Sequence, residues 1–278
     1  MPELRMEGVS FHNVLRDITV AWSGGSLIGL IGPNGAGKST LMRLAAGIWV
    51  PTGGRVTLDS RDVHRLNPLQ RARHLTYLPQ QTFHDVAYTV REFVAMGRFA
   101  HRKHWQERVH ALRAAGRRAA VQGRGPGGAS GTSRQLVEDA IAAMELAPLA
   151  DVPLAQLSGG ERQRAAIARC LAQGCDTWLL DEPISNLDPY YQWDILRRLR
   201  AMAEDGRLIV IAIHHLELAA QFCTELTLLH HRTVFAHGSP EEVLREDVLA
   251  AAFRLPIRTF RDPHTGVLRV SLPPRPAR

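Results

Sequence analysis

Long apolar runs are missing from this 278-residue sequence. None approaches the roughly 18 to 20 residues needed to cross a bilayer, which excludes a helical membrane span within it. The first residues, MPELRMEGVSF, lack the basic and then apolar order of a signal peptide, so the chain is expected to stay in the cytoplasm. Cysteine is scarce as well. Cys170, Cys175 and Cys223 are too few for a disulfide framework, and no CxxC pair suggests a structural zinc. They read as reduced, mostly buried small residues.

Acidic residues are in deficit: 34 Lys and Arg against 27 Asp and Glu leave a formal charge of +7. A surface of that sign attracts polyanions, whether nucleic acid, anionic lipid head groups or nucleotides, and charge alone does not choose among them. The 13 histidines, with pairs at 214/215 and 230/231, lack the spacing of a metal-ligand set. They read as surface and core residues. What remains is ordinary for a folded globular chain, with 45% hydrophobic and 22% charged residues. The length suits one large domain, or a core with a lobe inserted into it.

Apolar periodicity predicts short strands near residues 4–11, 16–21 and 26–31, a helix from Lys38 to about Gly47, and a strand in GRVTLD. After YLPQ at 77–80 the pattern turns helical, in TVREFVAMGRF and SRQLVEDAIAAMELA, until strands return at 176–181, 207–213, 224–229 and 232–237. An α/β core interrupted by a helical lobe is the expected organisation. The expected division is a first core part at 1–80, the lobe at 81–156, a second core part at 157–240 and an extension at 241–278. Within the lobe, residues 101–133 carry seven Arg or Lys against one acidic residue and end in GRGPGGASGTS, a flexible linker composition. Either this is a solvated insertion, or Trp105, Val109, Leu112, Gly116 and Ala119 form the apolar face of a basic amphipathic segment that meets a membrane or a partner.

GPNGAGKST, residues 32–40, satisfies G-x-x-x-x-G-K-[ST] between an apolar strand and a helix. Gly32, Gly35 and Gly37 permit turns that aim backbone N–H groups at phosphate oxygens, and the positive end of the following helix adds attraction. Lys38 is expected to reach the β- and γ-phosphates of a nucleoside triphosphate, and Ser39 to ligate Mg²⁺. TWLLDEP, residues 177–183, delivers Asp181 and Glu182 to the end of an apolar strand, where a parallel sheet would set them beside the phosphate loop. There Asp181 can hold the Mg²⁺ shell and Glu182 can polarise an attacking water. A second cradle, LSGGERQRA from residue 157, puts Ser158, Gly159 and Gly160 at a predicted helix start, where free amides suit an anion.

With GPNGAGKST, LSGGERQRA and LLDEP in that order, nearly the whole sequence resembles the ATP-binding cassette ATPases. The resemblance implies a P-loop NTPase (RecA-like) α/β core with an antiparallel β subdomain and an inserted α-helical subdomain. It implies that Gly32, Pro33, Asn34, Gly35, Ala36, Gly37, Lys38, Ser39 and Thr40 hold ATP with Mg²⁺. It also implies a head-to-tail homodimer in which Ser158, Gly159 and Gly160 close over the nucleotide of the other copy. By the same resemblance Gln80 senses Mg²⁺ and the attacking water, with Gln81 as the second candidate. Asp188 bridges the two cassettes, and His214 contacts the γ-phosphate. An aromatic usually stacks on adenine just before the second strand; here that segment offers Phe11 or His12. His215 stands where an aspartate commonly follows the histidine, and Asn186 where a small residue is usual. Neither change removes a group that does chemistry.

YLPQ, TVREFVAMGRFAHR and the ending HGSPEEVLREDVLAAAFRLPIRTFRDPHTGVLRV resemble the branch that imports iron siderophores, haem and cobalamin. That resemblance implies two permease subunits, an extracytoplasmic binding protein, and a peripheral place on the cytoplasmic side of the inner membrane. Residues 81–100 would be the surface that receives a permease helix. The competing expectations are an ATPase of another transporter of this type, for a metal ion or an exporter, and a soluble relative acting on ribosomes or DNA. No direct nucleic-acid contact is expected, because such soluble relatives usually carry two cassettes in one chain or a long coiled-coil insertion.

Overall fold

The computed structural model describes residues 1–80, 88–101, 131–185 and 187–271. The face predicted from Trp105 to Ala119, most of the 101–133 insertion, Gln81 and Asn186 lie outside the described residues, as do residues 81–87 of the predicted docking surface.

The chain opens with β1 (Glu3–Phe11) and β2 (Leu15–Ser23), antiparallel partners joined by a tight turn in which the Val14 N–H donates to the Phe11 carbonyl at 3.0 Å. β3 (Leu27–Ile31) then leads into α1 (Lys38–Ala45), followed by β4 (Gly53–Leu58) and the short β5 (Arg61–Asp62). Next come α2 (Pro68–His74), β6 (Leu75–Leu78), α3 (Val90–Ala95), α4 (Gly131–Ala143) and α5 (Gly159–Gln173). Core strands resume with β7 (Thr177–Asp181), α6 (Pro189–Glu204), β8 (Leu208–Ala212), α7 (Leu216–Phe222), β9 (Glu225–His230) and β10 (Thr233–Gly238). The chain ends in α8 (Pro240–Val243), α9 (Glu246–Phe253) and the hairpin β11 (Arg258–Arg261) with β12 (Leu268–Ser271).

Two compact units emerge. One comprises Met1–Asn67, Tyr77–Gln80 and the chain from Asp176 onward; the other comprises Pro68–Thr76 and Gln81–Cys175. In the first unit, β2-β1-β4-β5 form one antiparallel sheet, and β10-β9-β3-β8-β7 form a second, to which β6 adds at its edge with Tyr77 and Leu78. Within the second sheet β9, β3, β8 and β7 run parallel. Every residue of β3, β7 and β8 is buried, which is why LIGLI, TWLLD and LIVIA read as unbroken apolar runs rather than alternating ones. The parallel register aligns Leu30 and Asp181 with Ala212, so the loops after β3, β7 and β8 all leave from one edge of the sheet. α6 covers the core with Ile195, Leu196, Leu199 and Ala203, a helical stripe in an otherwise polar sequence.

The second unit is helical. Val137, Ala140, Ile141 and Met144 lie along one face of α4 and its end, and Ala165, Ala166, Ala168 and Cys170 fill the buried side of α5. Small residues there let neighbouring helices approach closely. Thr89 caps α3 in a reciprocal capping box with Glu92. Arg91 in that helix pairs with Glu138 and, at 3.0 Å, with Asp151. Among the described residues no helix is long and apolar enough to cross a membrane.

Candidate functional site

The loop after β3 is GPNGAGK, and its backbone explains its glycines. Gly32, Gly35 and Gly37 all have positive φ, at 147°, 77° and 100°. A Cβ on Gly32 would fall 2.3 Å from the Leu229 carbonyl oxygen, and one on Gly37 would fall 2.7 Å from Leu15 Cδ2. Neither position admits a larger residue without moving backbone or core. Gly37 is also the N-cap of α1 and supplies no side chain there, so the first-turn amides stay available to an anion.

Lys38 begins α1 and turns its ammonium inward. Its Nζ donates to the carbonyls of Gly32 at 2.8 Å and Pro33 at 3.1 Å, and the residue is buried. Burial pushes its pKa down, while Glu182 and Asp181 pull it up. A desolvated cation thus lies inside the loop, held by carbonyls that a phosphate oxygen would replace.

Asp181, the last residue of β7, is fully buried, and its Oδ1 accepts from the Ser39 hydroxyl at 3.2 Å. Its other oxygen, Oδ2, is buried and makes no hydrogen bond to any described residue. Burial raises the Asp181 pKa, opposed by the Ser39 hydrogen bond. A carboxylate with a spare buried oxygen, next to a hydroxyl, fits a hard divalent cation with oxygen ligands. Ser39 and Asp181 therefore fit Mg²⁺, and its charge would reverse the pKa shift.

Glu182 follows directly, with φ at 55°, a region non-glycine residues seldom occupy. Its carbonyl is tied down by Ser185, whose Oγ donates at 2.9 Å and whose N–H donates at 3.3 Å. Ser185 was not among the expected site residues, although its place three residues beyond the acidic pair is a turn signal. The Glu182 carboxylate is held from both sides: Gln80 Nε2 donates to Oε2 at 2.8 Å, and His214 Nε2 lies 2.5 Å from Oε1. The structure thus brings together Lys38, Ser39, Gln80, Asp181, Glu182 and His214 at the edge where the parallel strands end.

Ser158, Gly159 and Gly160 belong to the second unit. Ser158 caps α5: its Oγ accepts from the Glu161 N–H at 3.3 Å, and Glu161 Oε2 accepts from the Ser158 N–H at 2.7 Å. Those bonds hold the Glu161 carboxyl below its usual range. Ser158 and Gly159 are exposed. Asp188, exposed at the N-cap of α6, makes no side-chain capping bond.

Of the two ring candidates, Phe11 is already engaged. Its ring stacks on Trp49 at 5.3 Å with 10° between planes, and the Arg43 guanidinium lies 4.7 Å from the Trp49 centroid. His12 sits at the exposed tip of the β1–β2 turn with φ at 43°, edge-on to Phe11. His215 is the N-cap of α7 without a side-chain cap bond.

A family model described as "ABC transporter" matches residues 15–185. The hemin import ATP-binding protein HmuV of Pseudomonas entomophila is 37% identical over 258 residues, which cover 91% of this chain and 91% of that protein. The cobalamin import ATP-binding protein BtuD of Halobacterium salinarum is 36% identical over 264 residues, covering 94% of this chain; the chain spans 61% of that relative's length. Among solved structures, an inward-facing metal-chelate type ABC transporter superposes with a TM-score of 0.78 at 24% identity, over 99% of both chains. That likeness concerns the fold.

Proposed function

This chain belongs to the ABC transporter family, and we propose that it is the ATP-hydrolysing subunit of an importer for an iron chelate, haem or a cobalamin-like compound. The observation that carries the enzymatic part is the clamp on Glu182, set beside Asp181 and the phosphate loop. The import reading draws on relatives named for hemin and cobalamin import and on achromobactin transport, the named role of a Dickeya dadantii relative 32% identical over 260 residues.

In this reading the amides of residues 32–40 and the Lys38 ammonium bind the ATP phosphates. Ser39, Asp181 and Gln80 would hold Mg²⁺, whose charge offsets that of the phosphates. Glu182 orients a water and accepts its proton as the water oxygen bonds to the γ-phosphorus and the bond to the β-phosphate oxygen breaks. His214 keeps the carboxylate aimed and faces the γ-phosphoryl group as it passes to water. Ser158, Gly159 and Gly160, with Asp188, serve the site of a second copy packed head to tail, and His12 stacks on the base. The nucleotide-binding core comprises 1–67, 77–80 and 176–240, the helical subdomain 68–76 and 81–175 with Ser158–Gly160, and the extension 241–278. The partners are two permease subunits at the cytoplasmic membrane surface, supplied by an extracytoplasmic binding protein.

Isolation of the tagged chain from its native membranes tests the role. A polytopic permease should copurify and identify the transporter; ribosomal proteins or DNA-repair factors in its place would overturn the role while leaving the chemistry. The metal assignment has its own test. Asp181→Asn should bind ATP as wild type does in the presence of a chelator, yet lose the gain in affinity that Mg²⁺ brings, as read by fluorescent-nucleotide titration. An undiminished Mg²⁺ effect would remove Asp181 from the metal shell.

A further inference from the structure

Two cavities of the first unit share a wall. The smaller, about 280 Å³, is bounded by Gly32, Pro33 and Asn34 of the phosphate loop and by His214, Leu216 and Phe253. The larger is about 770 Å³. His214, Leu216 and Phe253 bound that one too, facing Phe260 and Val270 of the terminal hairpin. Phe253 is thus the contribution of the C-terminal extension to the space beside the phosphate loop, although it lies far outside the residues that match the family model.

The ring is fixed from its own side. Leu249 and Ala252 anchor α9 in the core, and Arg254, in the left-handed region at φ 56°, ends the helix with its N–H on the Ala250 carbonyl at 2.9 Å. Directly afterwards Ile257 is buried, and the Thr259 N–H donates to Glu246 Oε1 at 3.1 Å, tying β11 to the first turn of α9. The segment on the other side is held at its ends, where the Ile213 N–H donates to the Leu30 carbonyl at 3.2 Å and the Ala219 N–H to the His215 carbonyl at 2.9 Å. His214 follows the end of β8, and His215, at the start of α7, makes no side-chain capping bond. His214 and Leu216 bound both cavities, so a side chain in the shared wall limits how far their side chains can move.

We propose that Phe253 is a positioning residue for hydrolysis: its ring braces the His214–Leu216 segment so that His214 stays within hydrogen-bond reach of Glu182. This rests on the reading of His214 and Glu182 given above. Without the ring the two cavities merge and His214 gains room to leave the carboxylate. The loop that binds the phosphates keeps its own geometry, because Lys38 and the glycines fix it internally.

The test compares the full chain with Phe253→Ala, Phe253→Leu and His214→Ala, following phosphate release, KM for ATP, Kd for ATP and thermal melting. Phe253→Ala should lower kcat about tenfold with KM and Kd within about twofold, since misplacing a catalytic group costs rate rather than affinity. Phe253→Leu, which refills the wall, should recover most of that loss. An unchanged kcat in Phe253→Ala beside an impaired His214→Ala would overturn the bracing role alone. So would a rise in KM and Kd that matches the fall in kcat, since it would make Phe253 part of nucleotide binding. If the alanine variant does not fold, the leucine variant carries the same split: a smaller kcat loss at constant Kd supports bracing, and wild-type kcat overturns it. A His214→Ala variant that hydrolyses at the wild-type rate would overturn the reading of His214 and with it the basis of the proposal.

Discussion

Glu182→Gln lowers kcat for ATP hydrolysis about a thousandfold, within the range of roughly 10² to 10⁴ that a positioned general base supplies, and leaves ATP affinity nearly unchanged. The hydrogen bonds around the side chain explain why the loss is confined to chemistry. Glu182 offers two acceptor oxygens, one to His214 and one to Gln80. A glutamine keeps the length, the backbone preference and one carbonyl oxygen, which can still accept from Gln80 Nε2. Its amide group then donates to His214 Nε2 in the tautomer that leaves that nitrogen unprotonated, so Gln80 keeps its orientation. The clamp survives and the proton acceptor does not. The Ser185 bonds to the 182 carbonyl involve only backbone on the 182 side, so the strained φ is held as before. Phosphate release and filter binding on the same preparation check this, and turnover near wild type would exclude Glu182 as the base.

The parts of this site that lie within one short segment were legible in the sequence. GPNGAGKST is such a segment: its glycines, lysine and serine lie close together in sequence, and the apolar run before the acidic pair marked a buried parallel strand. Strands β3, β7, β8 and β9 and helix α4 were legible for the same reason, because burial on all faces leaves an unbroken apolar run and burial on one face leaves a period in the residues. The clamp on Glu182 depends instead on residues 102 and 32 positions away. No local pattern encodes that pairing; the sheet order does, by setting the strand ends side by side. Gln80 and His214 could be named only through the family resemblance, and their bond to Glu182 could not be named at all. The terminal hairpin was also illegible. Of its eight strand residues only Val270 is buried, so RTFR and LRVS carry no alternation to read. Phe253 is one aromatic at the end of a helix, with nothing in EDVLAAAF to mark it as a neighbour of the phosphate loop.

Lys38→Met separates binding from chemistry in the opposite sense, weakening ATP binding at least about a hundredfold. The ammonium is buried against two carbonyls, and burial already disfavours its charge. Replacing one carbonyl partner with a phosphate oxygen exchanges a dipole for a full negative charge, in a site where water screens little. A hydrogen bond to a charged group is worth roughly 1.5 to 3 kcal/mol. Loss of two such bonds, to the β- and γ-phosphates, therefore corresponds to about 10² to 10⁴ in Kd. Methionine matches the lysine stem in length and is at home in a buried position, so the loop keeps its packing. The freed carbonyls are compensated in part, since Pro33 O also accepts from the Ala36 N–H at 3.2 Å, and thermal stability should fall only slightly. Equilibrium dialysis with labelled ATP measures the effect directly. Binding within about threefold of wild type would mean that the amides of residues 32–40 and the α1 N-terminus hold the phosphates unaided; hydrolysis would then have to be lost for a reason other than occupancy.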